Sequence, residues 1–140
     1  MRVVCDPNVF VSALISSSGA PREIIDAWVA GRFELIICPV LLSELRDVLA
    51  RPKLARRVEE RDAATYLNGL EESATLLDDP DVPEQISPDP DDDYLVFLAR
   101  QGKADFLVSG DRHLTELPDP IPPVLTPRQF VDLLAANHER

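Results

Sequence analysis

Four carboxylates stand where the chain changes character. Asp6 closes the apolar run VVC, Glu44 interrupts the greasy segment PVLLSELRDVLA, Asp92 lies in PDPDDDYL, and Asp111 follows FLVSG. Taken singly, each has an ordinary use. Asp6 can cap the helix after it, Glu44 can be an exposed helix residue paired with an arginine, and Asp91, Asp92 and Asp93 in a first helical turn complement the helix dipole. Gathered at one place, they imply other chemistry. Unpaired acids do not collect in a fold at neutral pH without something positive between them. Oxygen-only ligands suit Mg²⁺ or Mn²⁺, and one or two such ions can activate water and stabilise the leaving oxygen in phosphodiester cleavage. Whether the acids meet depends on the elements that carry them.

Val3, Val4 and Cys5 read as a short strand covered on both faces, with Asp6 at its carboxyl end and turn chemistry in Pro7 and Asn8. Val9 to Ile15 has helical spacing until Ser16 to Gly19 break it, and Pro21 opens a second helix through about Ala30. Trp28, on that helix's apolar stripe, is assigned to the core or a partner-facing surface rather than to base stacking. Phe33 to Cys38 is a second strand, and Pro39 to Ala50 a helix that places Glu44 about one and a half turns past the strand's end. Glu44 can then project towards the edge that carries Asp6. Asp62 to Leu77 is an amphipathic helix, or a helix running into a short strand. The stretch DDPDVPEQISPDPDDD is a surface loop, since its prolines exclude helix interior and most of its acids read as solvated. Tyr94 to Gln101 is helical and ends at Gly102, Ala104 to Ser109 is a buried strand, and Arg112 to Leu114 begin a further turn. A brief strand at Val124 and Leu125 precedes a helix from Pro127 to Ala136 capped by Thr126. Strands alternating with helices predict an α/β fold, a parallel sheet with helices on both faces and right-handed crossovers. All strand ends then share one rim, where ligands bind in such sheets.

At 140 residues, with 45% hydrophobic and 28% charged residues, the chain reads as one domain over residues 1–140. No apolar run approaches the roughly 18 residues of a membrane span, and the N-terminus lacks a signal-peptide layout. Cys5 and Cys38 sit in strand-like runs without metal-ligand spacing and read as buried free thiols of a cytoplasmic protein. A formal net charge of −11 argues against a nucleic-acid partner. That objection weakens if several acids share one cation site. Arg51, Lys53, Arg56 and Arg57 form the densest basic cluster, either a solvated face or a hold on a phosphate backbone. His113 has no spaced partner and reads as a surface or capping residue.

The segments VVCDPNVFVSAL, SELRDVL, PDPDDDYLVFLA, ADFLVSGDRHL and PVLTPRQFVDLL, in that order, resemble the PIN-domain family. The likeness spans nearly the whole chain and is closest to the VapC-like toxins of bacterial and archaeal toxin–antitoxin pairs. The resemblance implies a three-layer α/β/α domain around a central parallel sheet, with acids at its carboxyl rim holding Mg²⁺ or Mn²⁺. By position it makes Asp6, Glu44, Asp92 and Asp111 the metal-binding and catalytic acids, with Asp93 an alternative to Asp92 if the loop register shifts by one. Ser109 takes the hydroxyl position after the later strand, and Asn8 and Ser12 the polar positions that support the site. Pro7 departs from the small hydroxyl residue common there, which removes one hydrogen bond but no carboxylate.

The function expected on this basis is an endoribonuclease that hydrolyses RNA with metal-activated water. It would be the toxin of a pair with a cognate antitoxin, homodimeric and cytoplasmic, with no membrane partner and with Arg51 and Lys53 touching RNA. Two rivals belong to other classes. A receiver-type phosphorylation module would want an acidic pair at the first strand and a lysine after a late one, but here there is a single Asp6 and no lysine near Val124. A catalytically silent PIN-like domain that binds RNA or an antitoxin is the other.

Overall fold

The apolar runs VVC, LII and FLV are too short for helices and are bounded by turn residues, and they form the middle of a sheet. A computed structural model describes residues 1–138. In chain order the elements are β1 (Arg2–Cys5), α1 (Pro7–Ile15), α2 (Ala20–Val29), β2 (Glu34–Ile37), α3 (Pro39–Leu49), α4 (Pro52–Ala55) and α5 (Glu60–Ser73). They continue with β3 (Thr75–Leu76), a 3-10 turn at Pro90–Asp92, α6 (Asp93–Gln101), β4 (Phe106–Val108), α7 (Arg112–Thr115), β5 (Val124–Leu125) and α8 (Pro127–His138).

The five strands are all parallel in the order β3-β2-β1-β4-β5. The chain therefore winds outwards from β1 through β2 to β3, then crosses back to build β4 and β5 on the other side. The reversal falls between β1 and β4, where Cys5 lies opposite Val108. An open α/β sheet splays its connections apart at such a point and leaves a crevice beyond the carboxyl ends of the strands. Connecting helices run back against the strands, so the N-termini of α1, α3, α6 and α7 face the same rim.

Helices cover both faces. On one, α1 packs on α2 and α3, α2 on α8, and α3 on α5, while α6 packs against β1 and β4. The strand residues Val3, Val4, Cys5, Leu35, Ile36, Ile37, Leu107 and Val108 are buried, as continuous apolar runs require of a two-sided sheet. Gly102 lets α6 end close to the sheet, since a Cβ there would lie 2.7 Å from Cδ1 of Ile36. Phe130 of α8 is buried edge-on against Phe33, with ring centroids 5.3 Å apart. Cys5 and Cys38 are buried free thiols, and burial pushes Cys38 up to about 11.

Several boundaries differ from the sequence reading. Helix α1 begins at Pro7, not Val9, because proline is preorganised for the first helical position. Residues 62–77 take the second of their two options: α5 ends at Ser73, and Thr75 and Leu76 pair with Ile36 and Ile37. Asp79, read as a solvated loop acid, instead accepts a hydrogen bond from the Val40 amide at 2.8 Å, satisfying a free donor in the first turn of α3. Trp28 is half-buried and packs against the core.

Candidate active site

The crevice at the β1/β4 boundary is built first from strand ends. The Asp6 amide donates to the Val108 carbonyl at 2.9 Å, extending the β1–β4 pairing by one residue and fixing where the Asp6 side chain starts. That side chain is only 4% exposed. Its Oδ1 accepts from the Asn8 amide at 2.9 Å and its Oδ2 from the Ser109 hydroxyl at 2.9 Å. The Ser109 oxygen in turn accepts from the Asp111 amide at 3.0 Å, so one hydroxyl ties the two acidic strand ends together. Asp111 caps α7 by accepting from the His113 amide at 2.9 Å. Asp6 thus caps a helix and also faces the crevice, so the two uses are compatible. Burial pushes the Asp6 carboxyl above its ordinary range, the Asn8 and Ser109 bonds oppose that, and the Asp111 charge adds to it.

Glu44 reaches the crevice from the second turn of α3. It is half-buried, and its Oε2 accepts from the Tyr94 hydroxyl of α6 at 2.9 Å. Burial raises its pKa and the Tyr94 bond lowers it. The charges of Asp6 and Asp91 raise it further, whereas Arg51 lowers it.

The remaining acids come from the Pro/Asp-rich loop, and an internal anchor sets their direction. Asp93 is fully buried and accepts from the Ile86 amide at 2.7 Å, the Ser87 amide at 3.0 Å and the Ser87 hydroxyl at 2.6 Å. Its carboxylate is spent on the loop. Asp92, and not Asp93, approaches the strand-end acids. Asp89, Asp92 and Asp111 each offer an oxygen, and these lie within 4.8 Å of one another. Burial, a hydrogen bond with the Asp111 carboxyl, and the charges of Asp6, Asp89 and Glu44 raise Asp92 to about 7.

Asp89 is the residue the sequence reading missed. It caps the 3-10 turn by accepting from the Asp91 amide at 3.2 Å. An aspartate directly before Pro90 signals a turn, but nothing local says that the turn faces the crevice. Of the supporting residues, Asn8 contributes its backbone amide while its side chain is exposed, and Ser12 is half-buried one turn further along α1. Arg51 and Lys53 are exposed and outside the acid cluster. His113 is exposed. The half-buried, oxygen-only cluster, which forms no ion pair with a described residue, fits a hard divalent cation.

Residues 2–113 match the PIN domain model, a span that contains Asp6, Glu44, Asp89, Asp92 and Asp111, and the chain belongs to the PIN-domain family. PIN domains are generally a nuclease fold, act on nucleic acids and typically use a divalent metal. The chain is 28% identical over 119 residues to the uncharacterized protein MJ1680 of Methanocaldococcus jannaschii, covering 85% of this chain and 76% of that one. Its fold is similar to that of PAE2754 from Pyrobaculum aerophilum, with a TM-score of 0.66 over 96% of this chain and 95% of the other, at 21% identity. Among the described residues no helix is long and apolar enough to cross a membrane.

Proposed function

We propose that this PIN domain is a Mg²⁺- or Mn²⁺-dependent endoribonuclease whose ion is held by Asp6, Glu44, Asp92 and Asp111, with Asp89 beside them. One observation carries the reading. Asp89, Asp92 and Asp111 offer oxygens within 4.8 Å of one another at the switch-point crevice, Asp6 and Glu44 stand outside that trio but near enough for their charges to act on Asp92, and none of the five forms an ion pair with a described residue. When bound, a divalent ion supplies a more acidic water and offsets charge at the scissile phosphate. The chain's own residues position the acids. Ser109 ties the Asp6 carboxylate to the Asp111 amide, Tyr94 orients Glu44, and burial with the surrounding carboxylates raises Asp92 to about 7, an environment that a cation would relieve. No side-chain nucleophile is needed on this reading, because a divalent ion would supply the attacking water.

The test is RNA cleavage by the purified chain with Mg²⁺ or Mn²⁺ and with EDTA, beside Asp6→Asn. Cleavage should need the ion and be abolished in the variant, and undiminished metal-dependent cleavage by Asp6→Asn would refute the assignment. The likeness to VapC-like toxins supports a further role as the toxin of a pair, a homodimer acting on cytoplasmic RNA and restrained by a cognate antitoxin. Growth arrest on expression, relieved by a small neighbouring reading frame, is the outcome expected of that role.

A further inference from the structure

We infer that the basic turn around α4, carrying Arg51, Lys53, Arg56 and Arg57, is a docking site for the phosphate backbone of single-stranded RNA running from the acidic crevice. The inference rests on the nuclease reading for the direction of the strand, but on separate observations for the site.

Charge is the first of these. Residues 51–57 hold four cations and no acid in a chain of net charge −11, so the rest of the protein stands at −15. Away from a bound metal ion, such a surface repels a polyanion, and this turn is its densest cluster of positive charge.

Availability is the second. Among the other described cations, Arg2, Arg22, Arg46, Arg112 and Arg128 sit in ion pairs, Arg32 and Arg100 donate to backbone carbonyls, and Arg61 and Lys103 stand singly without an ion pair to a described residue. Arg51, Lys53, Arg56 and Arg57 are exposed and form no ion pair with a described residue, although acids outnumber cations 25 to 14 in the chain.

Placement is the third. Ala50, after the last residue of α3, keeps helical angles at φ −82° and ψ −10°. Arg51, seven residues after Glu44, follows directly, and there the backbone turns extended at ψ 139° and opens α4. The separation along the axis is about 10 Å. A backbone passing the crevice can follow α3 to the basic turn. The crevice is recessed, with Asp6 only 4% exposed. A flexible single strand can bend into such a recess more readily than a stiff duplex.

Lys103 provides the control. It is also exposed and forms no ion pair with a described residue, but it lies between α6 and β4 beside the amino end of β1. The experiment measures binding of a single-stranded RNA oligonucleotide by fluorescence anisotropy, in EDTA so that cleavage plays no part, over a range of salt concentrations. Arg51→Gln and Lys53→Gln should each weaken binding several-fold and reduce the salt slope by about 0.7, and the fourfold Gln variant should reduce it by about 3. Lys103→Gln should leave both unchanged. Equal losses from Lys103→Gln, or none from the turn, would overturn the inference. So would preferential binding of a polyglutamate peptide, which would assign the turn to an acidic protein segment. Cleavage is scored separately: if the turn binds RNA and no cleavage occurs, only the nuclease reading fails, and if cleavage persists without binding at the turn, only this inference does.

Discussion

The two halves of the acidic crevice are held by different means. Asp6 and Asp111 extend from paired strands, and the β1–β4 ladder, the Asp6 amide and Ser109 set their positions. Asp89 and Asp92 come from a proline-rich loop with no ladder, and the buried carboxylate of Asp93 shapes that loop by accepting three hydrogen bonds from Ile86 and Ser87. The parallel sheet thus places its acids through the strand ladder and one serine hydroxyl, whereas this loop uses a buried acid of its own as an anchor. Adjacent aspartates consequently do opposite jobs: Asp92 faces its like charges, and Asp93 meets only donors.

The strand side should break most severely in function. Asp6→Asn is expected to cut RNA cleavage by about 10³-fold or more, the scale seen when a group stabilising the transition state is lost, while the far-ultraviolet circular dichroism stays unchanged. Retained cleavage would show that the strand-end acid is not essential.

On the loop side the contrast lies between neighbours. Asp93→Ala leaves the Ile86 and Ser87 donors without their acceptor in a buried site and should destabilise the fold by about 3 kcal/mol. Asp92→Asn should leave the melting temperature equal or higher while impairing cleavage. Chemical denaturation of both variants checks this, and equal stability losses would erase the distinction.

The pH dependence sharpens it further. Asp92 is raised from an ordinary 3.8 to about 7, so the folded state holds its proton more tightly than the unfolded chain does. The associated stability is fully present below about pH 4 and lost as pH rises through about 7. Burial moves Asp6 and Glu44 in the same direction. In EDTA, the melting temperature of the wild type relative to Asp92→Asn should therefore fall across that window. Added Mg²⁺ should restore it, with the largest gain at the alkaline end, and a flat difference would contradict the clustered charges.

The smallest effect belongs to Tyr94→Phe, which removes the hydroxyl that orients Glu44 but keeps the buried ring. Cleavage should drop no more than about 10-fold, as for partners that orient a ligand, and stability by about 1 kcal/mol. Titration of Mn²⁺ into both proteins should show weaker binding in the variant.

Much of this molecule was legible because short apolar runs alternate with helical ones. VVC, LII and FLV have no period other than that of strands buried on both faces, and each is followed by a helix opener such as Pro7, Pro39 or Asp111. The acids at strand ends were legible for the same reason, since a parallel sheet sends every carboxyl end to one rim. The loop resisted. SPDPDDD contains several aspartates with the same local preferences, and propensity cannot say which will be buried, which will face a crevice and which will meet solvent. Asp89 was missed and Asp93 stayed open as an alternative to Asp92 on that account.

The sequence by itself determined the α/β class and the parallel sheet, through periodicity and turn chemistry within a few residues, and it offered Asp6, Glu44, Asp92 and Asp111 as candidates, with Asp93 an alternative to Asp92. Only the tertiary structure decided that β4 lies beside β1, that Ser109 joins the two strand-end acids, and that Asp93 is an anchor while Asp89 and Asp92 face Asp111. Those are contacts between residues far apart in the chain or between chemically identical neighbours. Packing selects among them by burying one carboxylate against donors and leaving the others to repel.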